Sequence, residues 1–258
     1  MKKNFITLAL AAVSFTGIFC ACDGAEGFPD APTTQVSSKI YIDASSWKNW
    51  YYVDLQAIHD SIIYNPLYDA SSSVVVKEIP MTATGDTVYS TGDHLNGQYM
   101  NKYKLGSDGL EKDNLMYFIP TSAQPDPENW TFAIHRDNVR TNGGSVYETD
   151  KTEISQVTSD DYATATFKAD EWSEDQVWDD ATKMMTYLVP SQGIKVNNVL
   201  SSWLTMKITP PQPSFYPNNH VFILRLSDGT YAALQLADYI SPDGKTKCCM
   251  TIRFKYPL

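Results

Sequence analysis

Three short runs near the C-terminus restrict the fold most. Residues 220–226, 231–236 and 248–256 are rich in aromatic and β-branched side chains, and Asp228-Gly229 and Pro242-Asp243-Gly244 separate them. Runs of this length, divided by residues that supply turn geometry, form antiparallel strands joined by hairpins. Similar runs occur earlier, at 39–43 (Lys-Ile-Tyr-Ile-Asp) and 50–55 (Trp-Tyr-Tyr-Val-Asp-Leu). No long stripe of period 3.6 accompanies them. The best helical candidate, residues 179–188, is short, and no repeat is evident. The expectation is an all-β fold of packed antiparallel sheets in one domain, residues 36–258, a size that β-folds reach without splitting.

The stretch Trp130-Thr-Phe-Ala-Ile-His-Arg-Asp-Asn-Val-Arg-Thr-Asn-Gly-Gly144 has a pattern of its own. Phe132 and Ile134 alternate with Thr131, Ala133 and His135, the period of a strand with one large-apolar face. Asn142-Gly143-Gly144 adopts positive φ at little steric cost and is expected to reverse the chain.

The first residues carry an export signal. Lys2 and Lys3 supply positive charge, and residues 5–19 are largely apolar yet too short to span a bilayer. Residues 1–21 are therefore expected to be a lipoprotein signal peptide. Small Ala21 precedes Cys22, whereas bulky Phe19 precedes Cys20, so Cys22 is the expected lipidation site. Several acyl chains on one cysteine anchor stably, at about 0.8 kcal/mol for each buried methylene. Residues 22–35, rich in Gly, Pro and acid, read as a lipid-anchored linker. Contact with the membrane is through that anchor only. Cleavage further on, giving a fully secreted protein, is the alternative.

Removal of residues 1–21 deletes Lys2, Lys3 and no acid, and takes the net charge from −10 to −12. So acidic a chain does not seek nucleic-acid backbones or anionic lipid surfaces. Cys248 and Cys249 are neighbours, and adjacent strand residues point to opposite faces, which disfavours a disulfide between them. They lack partners at zinc-ligand spacing and are expected to pack on a strand. No nucleophile elbow, His-Glu-x-x-His or phosphate-cradling glycine loop marks a hydrolase. The acidic stretch 170–180 lacks the alternating pattern of a calcium loop and reads as a solvated charged loop.

In order along the chain, Trp130, the apolar strand with His135-Arg136, and Asn142-Gly143-Gly144 resemble the signature of the HmuY family, haem-binding surface lipoproteins of Bacteroidetes. The likeness extends to Ile42-Asp43-Ala44-Ser45 with the Trp50-Tyr51 run. It continues through Trp203-Leu204, a Pro-rich span, Val221-Phe222-Ile223, Asp228-Gly229 and a terminal strand closing on Tyr256-Pro257. It covers residues 38–55 and 129–258. Between them, residues 56–128 stand where family members run quickly from one strand to the next. This insertion is expected to be β-rich, since it holds Ser73-Val-Val-Val-Lys-Glu-Ile79, a Gly85-Asp86 turn and Asn114-Leu-Met-Tyr-Phe-Ile119. The sequence leaves open whether it covers the ligand pocket, replaces it or decorates an edge. The resemblance implies a binding protein, not an enzyme, on the outer membrane and exposed at the cell surface. Its partners would be haem, haem-carrying host proteins and a TonB-dependent outer-membrane receptor that receives the haem. Asp23 and Glu26, close behind Cys22, resemble the acidic tags of surface-exported lipoproteins in the same phylum.

Haem iron takes axial ligands from His, Met, Cys or Tyr. The family draws them from a loop before the Trp-Leu strand and from the segment just after it, as two histidines in the founding type and two methionines in several relatives. Here those places read Ala181-Thr-Lys-Met-Met-Thr-Tyr187 and Trp203-Leu-Thr-Met-Lys-Ile208, with no histidine in either. The resemblance therefore implies a bis-methionine site, Met206 with Met184 or Met185. Only one of the adjacent pair can face one iron from an extended segment. Thioethers bring no charge, which favours ferrous iron. Tyr187, on the parity of Met185, and Trp172 and Trp178 are the candidate pocket walls. Read from spacing alone, Leu204, Met206 and Ile208 share one strand face, where a methionine packs into a core with no metal. His135 is expected to serve the sheet and not iron; His220 opens a strand, and His59 and His94 fall in the insertion. A second reading is a cell-surface binding module or adhesin on the same scaffold, with a glycan or protein ligand and no haem. It is motivated by the insertion and by Trp47, Trp50, Tyr51 and Tyr52, aromatics that equally suit a core strand.

Overall fold

The computed structural model describes residues 34–80, 82–89, 93–209 and 212–258. The expected signal peptide, the lipidation site Cys22 and most of the linker lie outside the described residues. From Thr34 to Leu258 the chain forms one contact-defined unit. It begins with β1 (Val36–Asp43), β2 (Asn49–Val53) and helix α1 (Leu55–Tyr64), then β3 (Val75–Glu78), β4 (Gly97–Gly106) and β5 (Gly109–Pro120). Next come β6 (Phe132–His135), β7 (Asn138–Thr141), β8 (Ser145–Glu148), β9 (Lys168–Ala169), β10 (Glu171–Trp178) and β11 (Leu188–Val196). Short helix α2 (Asn198–Ser201) leads to β12 (Leu204–Lys207), β13 (Ser214–Pro217), β14 (Phe222–Arg225), β15 (Tyr231–Ile240) and β16 (Lys247–Tyr256).

The strands form antiparallel sheets in layers, as expected for the fold class. A six-stranded sheet runs β1-β16-β15-β14-β8-β9, and two four-stranded sheets run β3-β2-β6-β7 and β10-β11-β4-β5. The β3-β2-β6-β7 sheet lies in the middle, and period-2 alternation explains how. Val53, Phe132 and Ile134 join Ile252 and Phe254 of β16 in the main core. Trp50, Tyr52 and Ala133, on the opposite face, pack with Val177, Ile194 and Val196 of β10 and β11. Both faces of β6 are therefore covered, and its four residues are all buried.

Three local readings need correction. Residues 54–64 are helical: Asp54 accepts from the backbone N–H groups of Gln56 and Ala57, and Leu55, Ile58 and His59 fall on one buried face. The Trp130–Gly144 stretch is not one strand but a hairpin, because His135 pairs with Asn138 across a two-residue turn, Arg136-Asp137. Asn142-Gly143-Gly144 makes the following bend into β8, where a Cβ on Gly144 would lie 2.8 Å from the Arg225 carbonyl. The acidic stretch 170–180 is not a solvated loop but strand β10, interrupted by a bulge between Ser173 and Val177 that hides its period.

Residues 56–128, read from the sequence as an insertion, do not sit apart from the rest. Strand β4 pairs with β11 from Leu188↔Lys102 to Gln192↔Gln98, so residues 97–120 build half of the outer four-stranded sheet. Cys248 and Cys249 are free and buried. Cys248 joins the main core while the Cys249 thiol reaches Asp43 on the other face.

Candidate functional site

A cleft of about 480 Å³ opens where the end of the β4–β5 hairpin approaches β12. Its walls include Tyr103, Leu110, Trp178, Leu204, Met206 and Ile208. The volume is that of a small-molecule site. The outer sheet supplies one wall by parity: Trp178 pairs with Ser191, which also pairs with Tyr99, and Tyr103 lies four residues along on the same face. The β10 bulge closes over that face, and its freed carbonyls are taken by side chains. Asn101 Nδ2 and Ser191 Oγ donate to the Glu174 carbonyl at 2.8 and 2.6 Å, and Tyr103 Oη and Trp178 Nε1 donate to the Asp175 carbonyl at 2.9 and 2.8 Å. Burial drives the Tyr103 phenol well above its ordinary pKa, so it stays a neutral donor.

On this floor lies an aromatic cluster. Trp47 stacks on Trp178 at 6.3 Å, and Tyr103 meets Trp178 edge-on at 5.1 Å. Met206, Tyr187 and Ala181 pack against the same cluster, together with Ile208. Ala181 and Tyr187 bracket Met184 and Met185, whose backbone runs through the 3-10 helix Ala181–Thr186. The side chains of Met184 and Met185 lie outside the described residues. The structure thus brings Met206, Tyr187, Trp178 and the segment 181–187 together. Trp172 is on the same sheet face as Trp178 but opposite Lys195, not Ser191, which is about 13 Å along the strand. There it stacks on His94 at 5.2 Å, apart from the cluster.

Strand β12 buries Leu204 and half-buries Met206 while Thr205 and Lys207 face out. Above Met206 stands Arg136, first residue of the β6–β7 turn, with φ +55. Its Nη1 donates to the Ser45 carbonyl at 2.5 Å, its plane covers Trp47 at 3.8 Å, and Nη2 lies 3.9 Å from the Met206 sulfur. Asp137, beside it, faces the cleft. Desolvation raises its carboxyl to about 6, against the lowering pull of Arg136. At the rim Lys112 pairs with Asp175 at 3.3 Å. His135 is fully buried and held neutral, its pKa lowered to about 4 by desolvation, and a ring nitrogen is 3.0 Å from the Trp47 carbonyl. It orders the turn and the Trp47 loop.

The residues that sequence reading missed are Tyr103 and Leu110, together with the place of Trp47 and Arg136 at this cluster. Ser107-Asp108-Gly109 between two alternating runs is a hairpin signal that leads to the first two. Of the aromatics behind the glycan reading, Trp50 and Tyr52 are buried and Trp47 is committed to the stack. Among the described residues no group of three or more His, Cys, Asp or Glu is placed to hold a metal ion, and no helix is long and apolar enough to cross a membrane.

Fold and cleft together define an all-β protein with an aromatic, thioether-bearing pocket. The chain belongs to the HmuY family, whose model matches residues 46–254. No curated protein matches it. Among solved structures it is similar to an HmuY analog of Tannerella forsythia, with 20% identity, TM-score 0.61, and coverage of 87% of this chain and 97% of that one. A Bacteroides vulgatus protein described as HmuY-like and haem-binding matches at 24% identity and TM-score 0.56, over 86% and 92% of the two chains. A Bacteroides fragilis protein described as a lipoprotein matches at 25% identity and TM-score 0.55, over 89% and 92%.

Proposed function

We propose that this protein is a lipid-anchored surface protein that captures haem through methionine and passes it to an outer-membrane uptake system, without being an enzyme. The observation that carries the reading is the meeting of Met206 with both residues that bracket Met184-Met185 on one aromatic cluster at the cleft. The residues present suit a porphyrin. Trp178, Tyr103, Leu204 and Ile208 offer apolar wall, the half-buried Met206 offers a thioether, and the rim lysine Lys207 offers a cation toward carboxylates. Haem, when bound, supplies an iron that accepts thioether lone pairs. Met206 would hold it from β12, with Met184 or Met185 as the second ligand from the 3-10 segment. Tyr187 and Trp178 would wall the pocket; Trp172, further along the sheet, would border it at most. The anchor would be Cys22, leaving the compact unit outside the outer membrane, where haem-carrying host proteins and a TonB-dependent receptor are the partners in reach.

The test is an absorption titration with haem, oxidised and dithionite-reduced, on the protein lacking residues 1–22, which retains all of Thr34–Leu258. A Soret shift that is larger in the reduced state and weakened at least tenfold in Met206→Ala is expected. Absence of any Soret change in both redox states overturns the reading.

A further inference from the structure

We infer that Arg136 is a positioning and specificity-determining residue of this cleft: its guanidinium, set against the Met206 sulfur, biases the site toward ferrous over ferric haem. The inference rests on the haem reading and adds a residue to it.

Arg136 is only 7% exposed, and among the described residues no carboxylate pairs with it as an ion pair. A buried guanidinium ordinarily sits in a bidentate carboxylate fork. This one is committed elsewhere, to the Ser45 carbonyl, to the Trp47 face and to Met206, and among the described residues its Nε has no hydrogen-bond partner. The backbone is bent to achieve this, since a non-glycine residue at φ +55 is held there only by its surroundings. Three contacts in three directions fix the side chain, and the third fixes the sulfur.

Two consequences follow from elementary electrostatics. A thioether is a weak acceptor, and one engaged by Nη2 is restricted in its rotamers, so Met206 is presented to the cleft already oriented. The guanidinium also never loses its charge. Its field is felt nearby, where it acts to lower the pKa of both His135 and Asp137. Ferric haem carries one more positive charge than ferrous haem, so a fixed cation next to a ligand sulfur penalises the ferric form selectively. At separations of several ångströms and the screening of a half-open site, the ratio of ferrous to ferric affinity changes about tenfold.

The experiment measures the midpoint potential of bound haem, and ferrous and ferric affinities, for the protein lacking residues 1–22 and for Arg136→Gln, Arg136→Lys and Asp137→Asn at pH 8. Arg136→Gln is expected to bind haem with its ferrous-to-ferric ratio lowered about tenfold, a fall of 59 mV for one electron. Arg136→Lys, which keeps the charge, recovers most of that fall. Asp137→Asn, which removes the neighbouring negative charge and leaves Arg136 intact, moves the potential upward, and it serves alone if Arg136→Gln does not fold. An unchanged potential in Arg136→Gln, or a downward shift in Asp137→Asn, overturns the inference while leaving haem binding standing. Loss of the Soret response in the parent protein instead removes the haem reading itself.

Discussion

Asp137→Asn should stabilise the protein at neutral pH and lose that advantage in acid. Asp137 occupies the second position of the β6–β7 turn and faces the cleft between Met206 and the wall of β10. Its carboxyl is raised from 3.8 to about 6, mainly because burial disfavours the charge. A group whose folded pKa exceeds its unfolded one binds protons more tightly when folded. Its stability contribution is intact below 3.8 and is lost as pH rises through 6. Two units at about 1.36 kcal/mol each set a ceiling of ~3 kcal/mol, and partial exposure to the cleft lowers it, so about 1–3 kcal/mol is expected at pH 7.5. Asparagine keeps the acceptor oxygen and suits a turn, which adds only a pH-independent offset. His135, with its pKa lowered from 6.5 to about 4, costs stability as pH falls between those values, but in both proteins alike, so it drops out of the difference. Urea unfolding at pH 4.5, 6 and 7.5, followed by tryptophan fluorescence with equal slopes, reads the quantity directly. A difference that is constant across this range, or a variant less stable at pH 7.5, refutes the reasoning.

Two further outcomes follow from particular residues. Gly109→Ala should destabilise by about 1–3 kcal/mol in a thermal melt, because Gly109 sits at φ +114 and a Cβ would lie 2.7 Å from the Ile208 carbonyl, at the seam between the β4–β5 hairpin and β12; an unchanged Tm would refute the close approach. Asp54→Ala should cost about 0.5–2 kcal/mol by urea unfolding through loss of the α1 cap, and Asp54→Asn should restore most of it.

What the sequence disclosed depended on whether a signal was local. Strands β14, β15 and β16 were legible because alternation and turn residues sit within a few positions of each other. So was the placement of Phe132 and Ile134 on one face of β6. Strand β10 was hidden by its own bulge, whose carbonyls accept from Asn101, Tyr103, Asn138, Ser191 and Trp178, all but the last on other strands. The α1 helix was masked by its short apolar face, which reads as a continuation of the Trp50–Leu55 run until the Asp54 cap is recognised. For the site, Met206 was legible as one of two alternatives, core or cleft. The structure makes it border both, packed on the cluster and lining the opening. Tyr103 and Leu110 were not legible, because their place depends on the register between β4 and β11, some 90 residues apart. The β4–β5 hairpin thereby becomes part of the cleft wall instead of an ornament.

Backbone strain gives a further reason to regard this corner as the working part of the molecule. Among the described residues, three that are not glycine hold positive φ: Arg136 at +55, Tyr187 at +57 and Cys248 at +63. They are far apart in sequence and bear on one place. Arg136 touches the Met206 sulfur, and Tyr187 ends the Met184-Met185 segment while its carbonyl accepts the Tyr103 N–H at 2.6 Å. The Cys248 carbonyl accepts from Ala44, whose neighbour Ser45 accepts from Arg136, and the Cys248 thiol feels the Arg136 and Asp137 charges. Each such residue costs on the order of 1–3 kcal/mol and survives only where surrounding contacts over-determine it. A fold that needed only a packed core could replace all three with glycine or a relaxed turn. Retaining them holds Met206, Ala181 and Tyr187 against one aromatic cluster, which is the preorganisation the proposed ligand cleft would require and a core would not.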